Sequence, residues 1–301
     1  MWISYLNKSP FVVISLCLLL LLSCSSKTKK EYGIPKSVDF NQYWNKGKAE
    51  ISIYSLEQSR YGEIHEGSAS TIFVKEPFNS QSQVKADQID SLTIDVLKLN
   101  MQKDFYTGIY PYDMMLSTFT PLESDSTSPI KITASVQEWC GQVFEQLNKR
   151  DSSWSIESFS YFEQEGDQKD TIEGAITEDG LWTRIRLSPE SLPTGKQMII
   201  PGAFYRKLRH KSFSPIEADL ELKKESETSL YSIQYIDRIL TIEFENALPH
   251  KILGWQETYS SGFAKYEKQL TSTAKLKKQV FIDYWNKNRL LDNNLRKELG
   301  L

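Results

Sequence analysis

Alternation of apolar and polar side chains is the feature that decides the fold. Its clearest stretch reads Ile130-Lys131-Ile132-Thr133-Ala134-Ser135-Val136-Gln137. Successive side chains of a strand point to opposite faces, so this pattern is typical of a strand with one buried and one solvated face. The same period of two recurs between residues 48 and 282, for example at 50–53, 97–102, 220–223 and 231–235. The pattern predicts antiparallel sheet over most of the chain.

Short turn sequences separate these predicted strands. Arg60-Tyr61-Gly62-Glu63 is expected to close the first hairpin, and residues 148–153 are expected to close a later one. Consecutive hairpins hide their edges by curling, so we expect a mainly β fold with one large antiparallel curved sheet, a barrel or half-barrel of about a dozen strands.

A few short helices are expected beside the sheet. Residues 178–187 form one candidate, and Leu291, Leu295 and Leu299, followed by Gly300, predict an amphipathic helix at the C-terminus. Residues 137–149 are ambiguous. Their apolar spacing suits a helix, whereas Gly141 in the middle favours a strand, and we favour the strand.

The N-terminal residues look like a targeting segment. Residues 1–23 contain an apolar run of about 12 residues, which is shorter than the roughly 20 needed to span a bilayer and suits a secretory signal peptide. Leu21-Leu22-Ser23-Cys24 resembles the lipobox of bacterial lipoproteins, which implies cleavage before Cys24 and its acylation. We therefore expect a membrane-bound lipoprotein with a flexible lipidated tether over residues 24–41 and a single β-rich domain over residues 42–301. Ser25 after the acylated residue favours the outer membrane, facing the periplasm.

The net charge argues against one class of function, and the cysteine content predicts the environment of Cys140. The chain has 36 Lys+Arg against 39 Asp+Glu, a net charge of −3, so it lacks the basic field that nucleic-acid binding requires. With Cys24 acylated and Cys17 in the signal peptide, Cys140 has no partner. An unpaired thiol outside the cytoplasm is usually buried, and we expect Cys140 to be buried.

Few residues offer catalytic chemistry. Glu63, His65 and Glu66 are the densest titratable cluster and would be the centre of an envelope hydrolase, although an exposed hairpin edge carries such residues routinely. The basic run Arg206–Lys211 is expected to be a solvated strand face rather than an anion site. The three histidines show no metal-ligand spacing, so neither a metal nor a cofactor is expected.

Aromatic and Met residues are concentrated in two segments, 105–115 and 137–144. Such side chains can line an apolar ligand cavity, and they equally suit a plain hydrophobic core. The candidate ligand-lining residues are Tyr106, Tyr110, Tyr112, Met114 and Trp139.

Several stretches resemble a family of uncharacterised bacterial lipoproteins that often carry the label "septum formation inhibitor Maf". They are residues 59–63, 96–100, 107–112, 137–143 and 295–301. The label would imply a nucleotide pyrophosphatase with the phosphate-binding motif S-x-S-P-R-R. Ser9-Pro10 lies in the signal peptide without a following Arg, and Ser188-Pro189 is followed by Glu190, so no site residue of that enzyme can be transferred.

The chain is therefore expected to be a non-enzymatic envelope lipoprotein that binds an apolar or amphiphilic ligand or an envelope partner. An envelope hydrolase is the alternative, and a pyrophosphatase is disfavoured.

Overall fold

The computed structural model describes residues 38–123 and 127–300, and sixteen strands form a single sheet in this part of the chain. The strands are β1 (Ala49–Arg60), β2 (Glu63–Asn79), β3 (Val84–Lys85), β4 (Thr93–Thr107), β5 (Tyr110–Pro121), β6 (Lys131–Glu138), β7 (Gly141–Arg150), β8 (Ser153–Ser160), β9 (Gln168–Glu173), β10 (Ile176–Thr177), β11 (Gly195–Ile200), β12 (Ile216–Lys224), β13 (Thr228–Gln234), β14 (Arg238–Glu245), β15 (Ile252–Ser261) and β16 (Lys268–Ile282). The α-helices are α1 (Val38–Trp44), α2 (Glu178–Leu187), α3 (Ala203–Arg209) and α4 (Asn293–Leu299).

The predicted fold class is confirmed, and the strand count is corrected upward. Strands β3 and β10 have only two residues each, too few to show a period of two. Five of the six residues of β9 are exposed, so that strand shows no alternation either. Local pattern cannot reveal strands of these two kinds.

The sheet curves until its two edges meet. Strand β10 is one edge and β9 is the other, and all neighbours pair antiparallel except β10 with β11. Only Gly174 and Ala175 separate the two edge strands, so their ends lie within about 11 Å. If a sheet with this strand order were flat, its two edge strands would be about 65 Å apart, because neighbouring strands are spaced about 4.8 Å. The sheet is therefore a barrel with one unpaired seam. Trp154 of β8 donates its indole N–H to the carbonyl of Ala175, in the linker between the two edge strands, at 3.2 Å.

Helices fill the inside of this barrel. Nine of the ten residues of α2 are buried, and Trp182 packs edge-on against Trp255 of β15 with ring centroids 5.2 Å apart. Most of α3 is buried as well. Helix α1 lies at the start of β1, where Trp44 packs against Phe73 of β2 at 6.3 Å. The residues of one large core come from all around the sheet and from these three helices.

Buried ion pairs fasten the internal helices to the wall. An arginine or glutamate inside a barrel needs a partner, because an isolated charge there loses its hydration. The pairs are Arg186 of α2 with Glu50 of β1, Glu178 of α2 with Arg238 of β14, and Arg206 of α3 with Glu145 of β7.

The helix predictions agree with the structure, and one boundary differs. The helix over residues 178–187 is confirmed, as is the C-terminal helix, which ends at Gly300 in a left-handed conformation. Residues 137–149 are strand, as favoured, with a turn at Trp139 and Cys140. Residues 38–41, which composition assigned to the tether, belong to α1, and Phe40 is buried.

The signal peptide and Cys24 lie outside the described residues. No helix in the described ranges is long and apolar enough to cross a membrane.

Candidate functional site

The turns at one end of the barrel carry a ring of exposed apolar side chains. Antiparallel order places alternate turns at the same end, so the turns after β1, β4, β6, β8, β13 and β15 lie together. We call this the turn end. The exposed large side chains in these turns, or at the strand ends beside them, form what we call the apolar rim: Tyr61, Tyr106, Ile109, Trp139, Tyr161, Ile236, Phe263 and Tyr266.

The rim is continuous along one side of the barrel mouth. The Phe263 ring lies 6.3 Å from Tyr61. The Tyr61 hydroxyl is 2.8 Å from the hydroxyls of both Tyr110 and Tyr112. Tyr110 stacks on Trp139 at 6.2 Å. Four neighbouring hairpins are thus connected through their aromatic side chains.

The contacts continue around the other side of the mouth. Tyr161 lies against Gly141, where a Cβ would come within 2.6 Å of the tyrosine ring, so only glycine fits under it. The adjacent Phe162 meets His210, at the C-terminal end of α3, with ring centroids 5.5 Å apart. Arg209 then lies 6.0 Å from the Phe263 ring and closes the circle.

Helix α3 forms the floor inside this circle. The guanidinium of Arg206 binds the Glu145 carboxylate and donates from Nε to the Pro201 carbonyl at 2.8 Å. Lys207 lies 3.3 Å from Glu145 and 3.4 Å from Glu165. Partial burial alone would raise the pKa of Glu165, but its hydrogen bond with His210 and the cation of Lys207 hold that pKa at about 2. The charges of the floor therefore neutralise one another.

Acidic side chains are interleaved with the apolar tips. Glu63, Glu163 and Asp167 are exposed carboxylates on the rim turns. Lys211 and Arg209, in contrast, are paired with Asp237 and Glu267. The rim therefore presents apolar groups with exposed carboxylates between them, and one exposed ammonium, that of Lys265, lies 5.1 Å from the Tyr266 ring centroid.

The residues predicted to line a ligand cavity divide into two groups. Tyr110, Tyr112 and Trp139 come together at the turn end, and Tyr106 is exposed beside them on β4. Burial raises the pKa of Tyr112, so its hydroxyl stays protonated and available to Tyr61. Met114 is buried in the core and does not reach the rim.

Cys140 corrects one prediction. The thiol is exposed, in the turn between β6 and β7, because the hairpin reverses there. The backbone N–H of Cys140 donates to the Glu138 carboxylate at 2.7 Å, which holds the turn. That carboxylate also raises the pKa of the thiol.

The basic run also corrects a prediction. Residues 206–209 are helical and the first three of them are buried or nearly so, instead of forming a solvated strand face. Arg206 is fully occupied by Glu145, and Arg209 donates to the Gly262 carbonyl at 3.1 Å. The pattern misled because buried arginines with glutamate partners from distant strands look like surface charge in the sequence.

The hydrolase cluster is not assembled as a catalytic site. His65 has its Nε2 3.1 Å from the Arg60 carbonyl, which is its one hydrogen bond within the described part of the chain. Glu63 and Glu66 are exposed on β2. A histidine base needs a nucleophile or a bound water within reach, and this geometry provides no such side chain. Nor does any group of three His, Cys, Asp or Glu in residues 38–123 and 127–300 have a metal-binding arrangement.

The space between α2 and the barrel wall leaves little room for a ligand, whereas a pocket of about 340 Å³ beside Leu222, Ser229 and Phe244 lies at the end opposite the rim. A cavity of about 20 Å³ lies between α2 and the wall, beside Lys103, Glu178, Asp179 and Arg238. One water needs roughly 10–15 Å³ by this measure, so a water fits and an organic ligand does not. Burial, together with the Glu178 carboxylate, raises the pKa of Asp179 to about 7. The small polar space is a structural feature of the core.

Of the eight rim residues, sequence reasoning named only Tyr106 and Trp139 as candidates and missed the other six. Ile109, Ile236, Phe263 and Tyr266 lie in turns where single apolar residues have no periodic neighbours. One signal was present: the six turns at the turn end, or the strand ends beside them, each contain a large apolar residue where polar residues are the norm.

Fold and site together define a closed antiparallel barrel that is filled by helices and carries an exposed apolar rim at one end. No family model matches the chain, and no curated protein matches it. Among solved structures, it is similar to a β-barrel-like protein of domain of unknown function DUF1849 from Brucella abortus, with a TM-score of 0.48 and 8% identity over 78% of this chain and 98% of that one. A porin-like protein from Bacteroides uniformis matches with a TM-score of 0.21 and 9% identity over 76% of this chain and 95% of that one.

Proposed function

We propose that this chain is a lipid-anchored, non-enzymatic binding protein of the cell envelope that uses the apolar rim to bind another envelope protein. The observation that carries the proposal is the concentration of exposed apolar side chains on six turns at one end of a rigid barrel. Contiguous exposed apolar surface of this kind marks an interaction site in a protein that is otherwise well packed.

The chemistry of the rim favours a protein over a bilayer. Tyr, Trp and Phe dominate the energetically important centres of protein interfaces. Glu63, Glu163 and Asp167 stand between the rim side chains and are exposed. Anionic leaflets repel carboxylates, and the apolar layer of a membrane excludes them. A partner with an apolar patch bordered by Lys or Arg satisfies both features.

The interior supports the same choice. Beneath the rim, helices α2 and α3 fill the barrel and leave a cavity of about 20 Å³ between α2 and the wall. A larger inner pocket, of about 340 Å³ beside Leu222, Ser229 and Phe244, lies at the end opposite the rim. The barrel therefore serves as a rigid frame for its turns.

The proposed lipid anchor determines where the rim can meet its partner. Acylation of Cys24 would hold the protein on the outer membrane, facing the periplasm. Thirteen residues lie between Cys24 and Val38, and this length of chain can span up to about 49 Å when extended. Such a reach lets the rim meet a partner away from the membrane surface.

Photo-crosslinking from the rim tests the proposal. A benzophenone amino acid replaces Ile109, which is 82% exposed, in the full-length protein in its own cells. We expect one discrete adduct with an envelope protein, lost in the Ile236→Asp variant. The matched control is Ile89→Asp, since Ile89 is also exposed but lies in the loop at the opposite end of the barrel. Adducts with lipid alone, or equal loss in both variants, would contradict the proposal.

A further inference from the structure

A second apolar site lies on the outer wall of the barrel, away from the rim. The outer face of an antiparallel barrel in water is normally polar, yet Ile51, Ile53 and Ile72 point outward from β1 and β2. They form a small cluster with Val74 and Ile282 that is separate from the main core. Ile51 and Ile53 are nevertheless buried, so something covers them.

The cover is the C-terminal segment, residues 283–300. It consists of two 3₁₀ turns followed by α4, and Tyr284 packs directly on the apolar cluster. Leu295 and Leu299, one helical turn apart, face the wall. No residue of α4 is fully buried, which shows that the helix lies loosely over the strands.

The cover and the wall do not fit tightly. A groove of about 200 Å³ remains between them, bounded mainly by Ile51, Ile53, Ile72, Ile282, Leu295 and Leu299. An engineered apolar cavity of about 150 Å³ is large enough to take up benzene. The groove therefore has room for a run of several methylene groups, which the small cavity between α2 and the wall does not.

The polar groups at the edge of the groove include two cations, and the charge of one of them, Arg296, also acts on the Asp104 carboxylate of β4. Lys287 and Arg296 line it from the cover, and Ser70 and Gln102 line it from the wall. Asp292 also lines it, but its carboxylate accepts a hydrogen bond from the Arg289 backbone N–H at 3.1 Å and stabilises the turn before α4. A guanidinium and an ammonium at the mouth of an apolar groove suit a single carboxylate.

We infer that this groove binds a free fatty acid, with the acyl chain between α4 and the outer wall and the carboxylate at Lys287 and Arg296. A second acyl chain would exceed the volume of the groove, so a diacyl lipid is not the expected occupant. Because α4 is loosely packed, it can move aside as the chain enters and close over it afterwards. The site is separate from the apolar rim and does not depend on the function proposed for it.

The test uses decanoate and decanol as probes for the full-length delipidated protein. Isothermal titration should show one decanoate per chain, with decanol bound at least about tenfold more weakly, because only decanoate carries the charge that Arg296 and Lys287 recognise. Amide exchange across residues 293–299 should slow when decanoate binds. Failure to bind decanoate, or equal affinity for both probes, would overturn the inference.

Variants locate the site. Ser70 lies between Ile53 and Gln102 on neighbouring strands, so Ser70→Leu should fill the groove and weaken decanoate binding at least about tenfold. Ser55→Leu places the same side chain on the same outer face of β1, outside the groove, and should leave affinity unchanged. Arg296→Gln should weaken decanoate and leave decanol unaffected. Equal effects of the two Leu variants, or competition by phosphatidylglycerol that is stronger than by decanoate, would refute the fatty-acid assignment. Thermal unfolding confirms that each variant is folded.

Discussion

Removal of Glu145 should release the floor of the rim from the barrel wall. Glu145 on β7 is fully buried and receives the Arg206 guanidinium and the Lys207 ammonium of α3, the latter at 3.3 Å. Glu145→Gln keeps the shape of the side chain and removes its charge. Two cations then share a buried site, and only Lys207 retains a carboxylate, that of Glu165 at 3.4 Å.

The size of the effect follows from this imbalance. Breaking a buried ion pair by removing one partner costs about 3–5 kcal/mol, since the remaining charge stays desolvated. For a domain of this size each kcal/mol lowers the melting temperature by roughly 2 °C, so Glu145→Gln should melt about 6–10 °C lower. Arg206→Met should cost less, about 2 kcal/mol, because Glu145 keeps Lys207 as a partner.

The double variant provides the decisive comparison. Glu145→Gln combined with Arg206→Met removes both charges, so its loss of stability should be smaller than the sum of the single losses by at least about 1 kcal/mol. Urea unfolding followed by tryptophan fluorescence measures all four proteins. A cost below about 1 kcal/mol for Glu145→Gln, or strictly additive losses, would show that the pair does not hold α3 in the barrel.

Three further outcomes are expected. Cys24→Ser should abolish palmitate labelling and release the protein from the membrane fraction, and labelling that persists would disprove acylation at this residue. The exposed Cys140 should react with Ellman's reagent in the folded protein within a few-fold of the unfolded rate, and Glu138→Gln should speed the reaction at pH 7, because the carboxylate raises the thiol pKa. Burial, with Asp113 opposite on β5, raises the pKa of Asp104 to about 6. The folded protein therefore holds this proton more tightly than the unfolded chain, and its stability should fall as pH rises from about 4 to 6. Asp104→Asn should flatten that slope and stabilise the protein by about 1 kcal/mol at pH 7.5, a figure reduced for the exposure of the pair; an unchanged slope would contradict the assignment.

The fold class could be predicted because strand alternation is a local property. Residues 130–137 alternate apolar and polar side chains, and β6, which contains most of them, pairs with β5 and β7 in a regular antiparallel register. A barrel or half-barrel was expected from the consecutive hairpins, but the pattern could not decide between the two. That choice depends on the edge strands, β9, which shows no alternation, and β10, which has two residues.

The site was partly predictable for a related reason. Tyr110, Tyr112 and Trp139 stood out because they lie in segments rich in aromatic residues. Their partner Tyr61 is 49 residues from Tyr110 along the chain. Only the order of the strands brings such residues together, and a single sequence without a sheet topology does not contain that order. The same limit applies to Cys140, whose exposure depends on where the hairpin turns.

The charged interior and the apolar surface are two results of the same architecture. A closed sheet of this many strands encloses more space than its inward side chains can fill, so short helices enter it. Short helices carry polar residues on every side, and those inside the barrel can be accommodated only by opposite charges on the wall. Arg186, Glu178 and Arg206 each have such a partner. With the charges of these helices paired inside the barrel, the exposed apolar side chains include those of the rim turns and of outer strand faces, such as Met115 and Phe159. Binding specificity in this protein is therefore expected at its end and on its outer wall, rather than in the lumen that barrel proteins commonly use.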